Sequence, residues 1–593
     1  MKDFLKFTLA TVTGIILSTV ILFFLSILMM FSMMASSGSE TQVQDNSIMT
    51  LDLNRAIEER SNAEDPMTIL LGDNDNSTMG LDDILSAIKK AEENEDIKGI
   101  YLQSGTLAAS AGTLEEIRRA LLDFKKSGKF VVAYGDYYSQ GAYYLCSVAD
   151  KVMLNPQGSL DWHGMASQPM FYKDLLEKIG VEMQIFKVGT YKSAVEPYIN
   201  TEMSLANREQ VTAFMGSMWN TFLTDVSASR NISKDSLNAL ADRMMALEEA
   251  KEAVKAGLAD TLIYKNDVKD YIKSLMALDE DDDLHQLKLK EMVNIKNSEP
   301  KDKSGNIIAV YYAFGGIDDG TSPDEGIVSK KVIKDLKKLE KDDDVKAVVL
   351  RVNSPGGSAY GSEQIWYAVS QLKKEKPVIV SMGDYAASGG YYISCNADTI
   401  VADATTLTGS IGIFGMFPNA EKLTQKVGLD FDVVKTNKFS DFGDIARPMN
   451  EAEKALMQNM IERGYDLFLT RCSEGRGIDK ASLDSIAQGR VWTGEKALEL
   501  GLVDVLGGLD TALEIAISKA GVEKYSVRSY PEKESIFDAL LNEGVGNLLK
   551  SYVLDNYLLK GHMGELYRQA NLLERIDEMD RIQARMPFEP NIH

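Results

Sequence analysis

The residues best placed for chemistry in this chain are a serine and a lysine that lie far apart in sequence. Ser388 stands in Met382-Gly383-Asp384-Tyr385-Ala386-Ala387-Ser388-Gly389-Gly390-Tyr391-Tyr392. It follows the apolar run Pro377–Ser381 and opens a helical pattern. A serine at a strand-to-helix junction sits near the positive end of the helix dipole, and the next amide, that of Gly389, is free to donate. A hydroxyl nucleophile with an oxyanion donor on the following residue suits acyl transfer. The competing reading is helix capping, which serine also does well.

A serine nucleophile needs a base, and Lys192 in Gly189-Thr190-Tyr191-Lys192-Ser193-Ala194-Val195-Glu196-Pro197 is the candidate. Lysine serves as a base only where burial lowers its pKa from about 10 towards neutrality. Tyr191, Ala194 and Val195 offer such an apolar setting; the ordinary place for a lysine is solvent. His163, after Asp161-Trp162, reads instead as a satisfied polar residue in the core. Asn353-Ser354-Pro355-Gly356-Gly357 follows the apolar run Lys346–Val352. Its proline fixes one φ, and its glycines let backbone N–H groups turn into a cleft, as an oxyanion hole requires. The plainer reading is an ordinary turn.

An internal repeat weighs these readings. Gly135-Asp136-Tyr137-Tyr138-Ser139-Gln140-Gly141-Ala142-Tyr143-Tyr144 matches the segment around Ser388 at an offset of 248. In that register Gln140 faces Ser388, Lys192 faces Ser440, and Thr106-Leu107-Ala108-Ala109 faces the glycine loop. Asp96–Ile100 lies opposite Asp344–Val348, and Leu175 and Gly180 lie opposite Leu423 and Gly428. Ala253, Gly257, Leu258 and Asp260 then meet Ala497, Gly501, Leu502 and Asp504 at an offset of 244. A period this long signals duplicated domains, each able to bury its own core. The lysine occurs in one copy and the serine in the other, the pattern of a single site divided between two halves.

Short apolar runs alternate with helical patterns in each copy, which predicts α/β units around a mainly parallel sheet. The expected organisation is a cytoplasmic end and membrane anchor over 1–35, a linker over 36–50 and a first repeat over 51–277. A charged, solvated linker over 278–305, a second repeat over 306–530 and a C-terminal helical extension over 531–593 complete it.

Residues 7–34 carry no charge and exceed the roughly 20 apolar residues that span a bilayer. Lys2 and Lys6 before them place the N-terminus in the cytoplasm and the rest across the membrane. A cleaved signal peptide is the alternative, with Ala35-Ser36-Ser37 as the cleavage site, although the apolar run is long for one. The net charge of -24 argues against a nucleic-acid or anionic-lipid surface. Cys146, Cys395 and Cys472 form no disulfide framework and read as small buried side chains. The four histidines lack metal-ligand spacing, so neither a metal nor a cofactor is expected.

Four segments, GTYKSAVEP around Lys192, NSPGG at 353–357, MGDYAASGGYY around Ser388 and TLTGSIGIFG at 406–415, resemble the signal peptide peptidase A (protease IV) family in its long double-domain form. The resemblance runs through the anchor, both copies and the linker. It implies two tandem Clp/crotonase-like domains built as a ββα spiral. It further implies a Ser/Lys-dyad peptidase that degrades signal peptides and other short hydrophobic peptides. Ser388 would then be the nucleophile and Lys192 the general base. Gly389 and Gly356 would be the oxyanion donors, with Gly357 the alternative, and Ser410 would orient the lysine amine. The resemblance also implies a homotetramer on the bacterial inner membrane with its catalytic part outside the cytoplasm. A non-catalytic membrane scaffold and a crotonase-type acyl-CoA hydratase or isomerase are the rival readings.

Overall fold

The computed structural model describes residues 40–61, 78–279, 281–296, 304–320, 326–533 and 582–586, with a few isolated positions before residue 22. Two sheets repeat the same plan. The first runs, edge to edge, through Thr261–Leu262, Lys151–Leu160, Phe130–Tyr138, Ile97–Ser104, Ser47–Leu53 and His285–Lys288. All its pairings are parallel. The second places Val505–Leu506, Thr399–Ala402, Val378–Ala387, Val345–Ser354, Ile307–Phe314 and Ser526–Tyr530 in the same succession, again all parallel. The duplication read from the residues is thus a duplication of strand order.

The strands are apolar on both faces because both faces are covered. In the second sheet, Ala309, Tyr311, Val348, Leu350 and Val380 face one core, while Val310, Ala347, Val349 and Ile379 face another closed by Ala512 and Ala516 of a helix. The period-2 alternation divides one strand between two cores.

Two expectations change, and a third falls largely outside the described residues. Residues 278–305 are not simply a solvated linker, since His285–Lys288 forms the sixth strand of the first sheet, parallel to Ser47–Thr50. Only Leu287 of that edge strand is buried, so no apolar run announced it. Most of the extension expected to be helical lies outside the described residues, and its described part, Ile582–Arg585, is a strand. The apolar segment 7–34 lies largely outside the described residues; among these no helix is long and apolar enough to cross a membrane.

The two copies meet through the helix Ala111–Lys126 of the first, which packs on the loops of the second that carry the candidate site. Thr113 donates through its N–H and hydroxyl to Asp384, at 2.7 and 2.9 Å. Glu115 accepts from the N–H of Thr405, and Arg119 pairs with Asp403 at 2.7 Å. At the centre, buried Arg351 donates to Glu59 and Glu116 of the first copy at 2.7–3.0 Å.

Candidate active site

Val378–Ala387 leaves the middle of the second sheet and turns at Ser388 into the helix Gly389–Ser394. Ser388 has φ 55° and ψ −111°, a conformation that costs a non-glycine residue energy and that surrounding structure must enforce. Its N–H donates to Gly409 O at 2.8 Å and its carbonyl accepts from Tyr392 N–H, fixing it on both sides. Its side chain makes no capping bond, so the capping reading fails. The hydroxyl is aimed elsewhere.

It is aimed at Lys192. Nζ lies 2.7 Å from Ser388 Oγ, 3.0 Å from Ser410 O and 3.1 Å from Ser410 Oγ. Ser410 Oγ in turn donates to Gly489 O at 3.3 Å. Lys192 is fully buried, and among the described residues no carboxylate pairs with it. Burial therefore pushes its pKa well below the usual lysine range, because desolvation penalises the ammonium form. An amine of this kind can hold a proton from a hydroxyl and give it back.

The wall around the lysine differs from the one expected. Val195 is buried, but Tyr191 turns outward, its ring under Arg490 and its hydroxyl bonded to Glu209. The close partner is instead the backbone of Gly489 from the second copy. A Cβ there would come within 2.7 Å of Lys192 Cβ, and the local φ is +77°. Only a glycine lets the two copies approach this closely.

The glycine loop lies on the other side of Ser388. Gly356 adopts φ +99°, and a Cβ on it would stand 2.7 Å from Gly389 N. The loop backbone therefore runs against the amide that follows the serine. The Gly356 N–H donates to Ser354 Oγ at 3.1 Å, while Gly357 stands on the strand edge. The structure thus brings together Ser388, Lys192, Gly389, Gly356, Gly357 and Ser410. His163 does not join them, nor is it a core residue; it is partly exposed and bonded to Asp161 at 2.7 Å. The three cysteines are free and buried.

Several supports escaped the sequence reading. Asn353 donates to Glu59 and Asp384, and its Oδ1 accepts from Tyr385 N–H, tying the glycine loop to the strand that leads to Ser388. Burial raises the pKa of Asp384 despite the opposing bonds from Thr113 and Asn353. The signal for this cluster was a lone arginine within the apolar run Lys346–Val352.

A serine at a strained turn, a buried neutral-leaning amine beside it and a glycine loop over the next amide define a class, the serine hydrolases that dispense with histidine. The comparisons with known proteins agree. The model of Peptidase family S49 matches residues 123–279 and 370–523, and that of Clp protease matches 320–403. The chain is 36% identical to Protease 4 of Haemophilus influenzae over 87% of this chain and 86% of that protein. It is 38% identical to Protease 4 of Salmonella typhi over 79% and 76%. It is 30% identical to the chloroplastic serine protease SPPA of Arabidopsis thaliana over 85% and 75%. The chain belongs to Peptidase family S49, with a Clp-like α/β fold in tandem, and it is a serine peptidase. That assignment displaces the scaffold and acyl-CoA readings.

Proposed function

We propose that this peptidase works through a dyad of Ser388 and Lys192, and that it is a membrane-anchored enzyme degrading cleaved signal peptides. The observation that carries the dyad is the 2.7 Å approach of Lys192 Nζ to Ser388 Oγ in a buried setting without a carboxylate partner. Neutral Lys192 takes the proton of Ser388 as its oxygen attacks the scissile carbonyl. The Gly389 amide and the Gly356 amide, with Gly357 as the alternative, receive the oxyanion, the Gly356 N–H exchanging its bond to Ser354 Oγ for one to the oxyanion. Lys192 then protonates the leaving amine, and water repeats the cycle on the acyl-enzyme. Ser410 holds the lysine amine towards Ser388.

The uncharged run at 7–34 supports an anchor with the catalytic part outside the cytoplasm. Exposed apolar side chains at Val427, Leu429, Phe431, Val434 and Phe442 fit a face covered by a further copy of the chain, as the homotetramer reading requires. An apolar signal-like peptide, incubated with the full chain in detergent and followed by mass spectrometry, tests the reading. Cleavage by wild type but not by Ser388→Ala or Lys192→Ala is expected. Equal cleavage by all three would overturn the dyad.

A further inference from the structure

One tight turn of the second copy touches both the lysine segment and the serine beside the lysine amine. Gln488 and Gly489 adopt φ 50° and 77° in succession, just before the strand Val491–Thr493. On the lysine side the Gln488 carbonyl accepts from Tyr191 N–H at 2.9 Å. On the serine side the Arg490 carbonyl accepts from Ser410 N–H at 2.7 Å, and the Gly489 carbonyl from Ser410 Oγ. The strand that follows pairs Val491 with Gly409, whose carbonyl holds the Ser388 N–H. A shift of this turn therefore moves Lys192, Ser410 and Ser388 relative to one another.

The first copy has the same bend with different residues. At the offset of 244, Gln488, Gly489 and Arg490 meet Met244, Met245 and Ala246. Met244 has φ 53°, so the backbone form recurs. Glycine and arginine stand only in the copy that receives the lysine. The close approach to Lys192 Cβ accounts for the glycine. The arginine needs another account.

Its side chain clasps the turn to the lysine segment. The Arg490 guanidinium lies 4.5 Å from the Tyr191 ring centre and 4.4 Å from that of Trp492, one ring from each copy. It donates to the Tyr191 hydroxyl at 3.0 Å and to Glu209 at 2.9 Å. A flat, permanently charged group is suited to lie against two rings at once. Glu209 is more than half exposed, so water screens its attraction and the rings carry the clasp. Buried Gln210 closes the other side, donating to Tyr191 O at 3.1 Å and accepting from Val491 N–H at 3.2 Å. Tyr191 is thus held at its N–H, its carbonyl and its ring. Lys192 is the next residue.

We propose that Arg490 is a positioning residue for the dyad, clasping Tyr191 against the turn so that Lys192 Nζ stays between Ser388 and Ser410 and away from water. The inference rests on Lys192 as the base. Without the clasp the Tyr191 ring is released, the lysine segment loosens and water reaches Nζ. The amine then stands less often at Ser388 Oγ, so kcat falls while peptide binding is kept. Hydration also favours the ammonium form, so activity is lost at a higher pH. The charged groups on this segment and against it are Lys187, Glu196, Glu209 and Arg490. Lys187 donates to Lys192 O at 3.4 Å, Glu196 is taken up by Ser204 and Asn207, and none of the four bonds to Nζ. Loss of the Arg490 charge would by itself move the pH profile in the same direction. Tyr191→Leu keeps that charge and separates the two causes.

The test is steady-state kinetics across pH on the full chain in detergent, with an apolar signal-like peptide as substrate. Wild type, Arg490→Met, Tyr191→Leu, their double variant and Lys192→Ala are compared, each checked for folding by circular dichroism. Arg490→Met is expected to lose about tenfold to a hundredfold in kcat, with KM within about twofold. Its acid limb is expected to move up by about one pH unit. Tyr191→Leu should change both in the same direction, and the double variant should be little worse than Arg490→Met, because each removes the same clasp. An unchanged kcat and acid limb in Tyr191→Leu or Arg490→Met overturns the inference. So does a loss of kcat with the acid limb in place, which marks a merely structural role. If Arg490→Met does not fold, Tyr191→Leu decides by the same two readouts. An inactive Lys192→Ala beside an unaffected Arg490→Met leaves the dyad standing without the clasp. Lys192→Ala as active as wild type removes the dyad, and this inference with it.

Discussion

Gln140 and Ser388 hold the same place in two sheets of the same strand order, and their surroundings are opposite. Gln140 Oε1 accepts from the N–H groups of His163 and Gly164 at 3.0 and 2.8 Å, and its amide donates to Gly164 O. Ser139 caps the helix that follows by accepting from Ala142 N–H. Both polar side chains at this corner of the first copy, Ser139 and Gln140, have internal partners. In the second copy the helix begins one residue later in the matched register, and its leading serine takes φ 55° without capping anything. Its hydroxyl has the Lys192 amine at 2.7 Å and a long contact of 3.5 Å to Gly412 O. One corner is satisfied and inert; the other keeps a reactive group whose close partner comes from the opposite copy. Packing between the copies thereby becomes part of the chemistry, which is why so many buried polar contacts join them.

The sharpest break of this comparison is removal of either half of the pair. Ser388→Ala and Lys192→Ala are each expected to lower kcat by roughly 10,000-fold or more, and the double variant by little beyond either one, because the two act as a unit. Steady-state kinetics on all three variants checks this; multiplicative losses would show that the residues act separately.

Next in size is the contact between the copies. Arg351→Met leaves Glu59 and Glu116 buried without their cation, so about 3–5 kcal/mol of stability is expected to go, read as a lower denaturation midpoint. Activity should fall only in parallel with the folded fraction.

Converting the inert corner is expected to fail. Gln140→Ser strands the N–H groups of His163 and Gly164, costing about 1–3 kcal/mol, and adds no turnover when combined with Ser388→Ala. Activity in that combination would mean that the first copy holds a latent site. A smaller effect belongs to Ser410→Ala, about tenfold in kcat with KM little changed, because one hydrogen bond to the lysine amine is lost.

The pH dependence carries a sign. Lys192 has a folded pKa well below the unfolded value of about 10.4, so over the interval between them the unfolded chain binds the extra proton. Its contribution to stability therefore rises with pH across that interval, and activity is lost as pH falls through the folded pKa. Lys192→Met should flatten this part of the stability profile and raise stability at neutral pH, as relief of a strained functional site often does. Denaturant midpoints measured across pH decide it.

The repeat, the α/β character and the paired serine and lysine were legible because each has a local signature. Apolar runs mark buried strands wherever they lie, and two copies in register expose the positions where they differ. The edge strand His285–Lys288 was hidden because only one of its four residues is buried. The outward turn of Tyr191 depends on Arg490, almost 300 positions away along the chain. Nothing in Ile582-Gln583-Ala584-Arg585 marks it as a strand; its form comes from the two edges that receive it.

By itself, then, the sequence determined which residue types were available and that they were split between two related halves, since composition, periodicity and repetition are properties of order along the chain. The tertiary structure alone decided that Lys192 and Ser388 touch, that the lysine lies where its charge is disfavoured, and which residues of two strand edges face Ile582–Arg585. Contact, desolvation and register across a gap all depend on what lies nearby in space, and a linear order does not specify them.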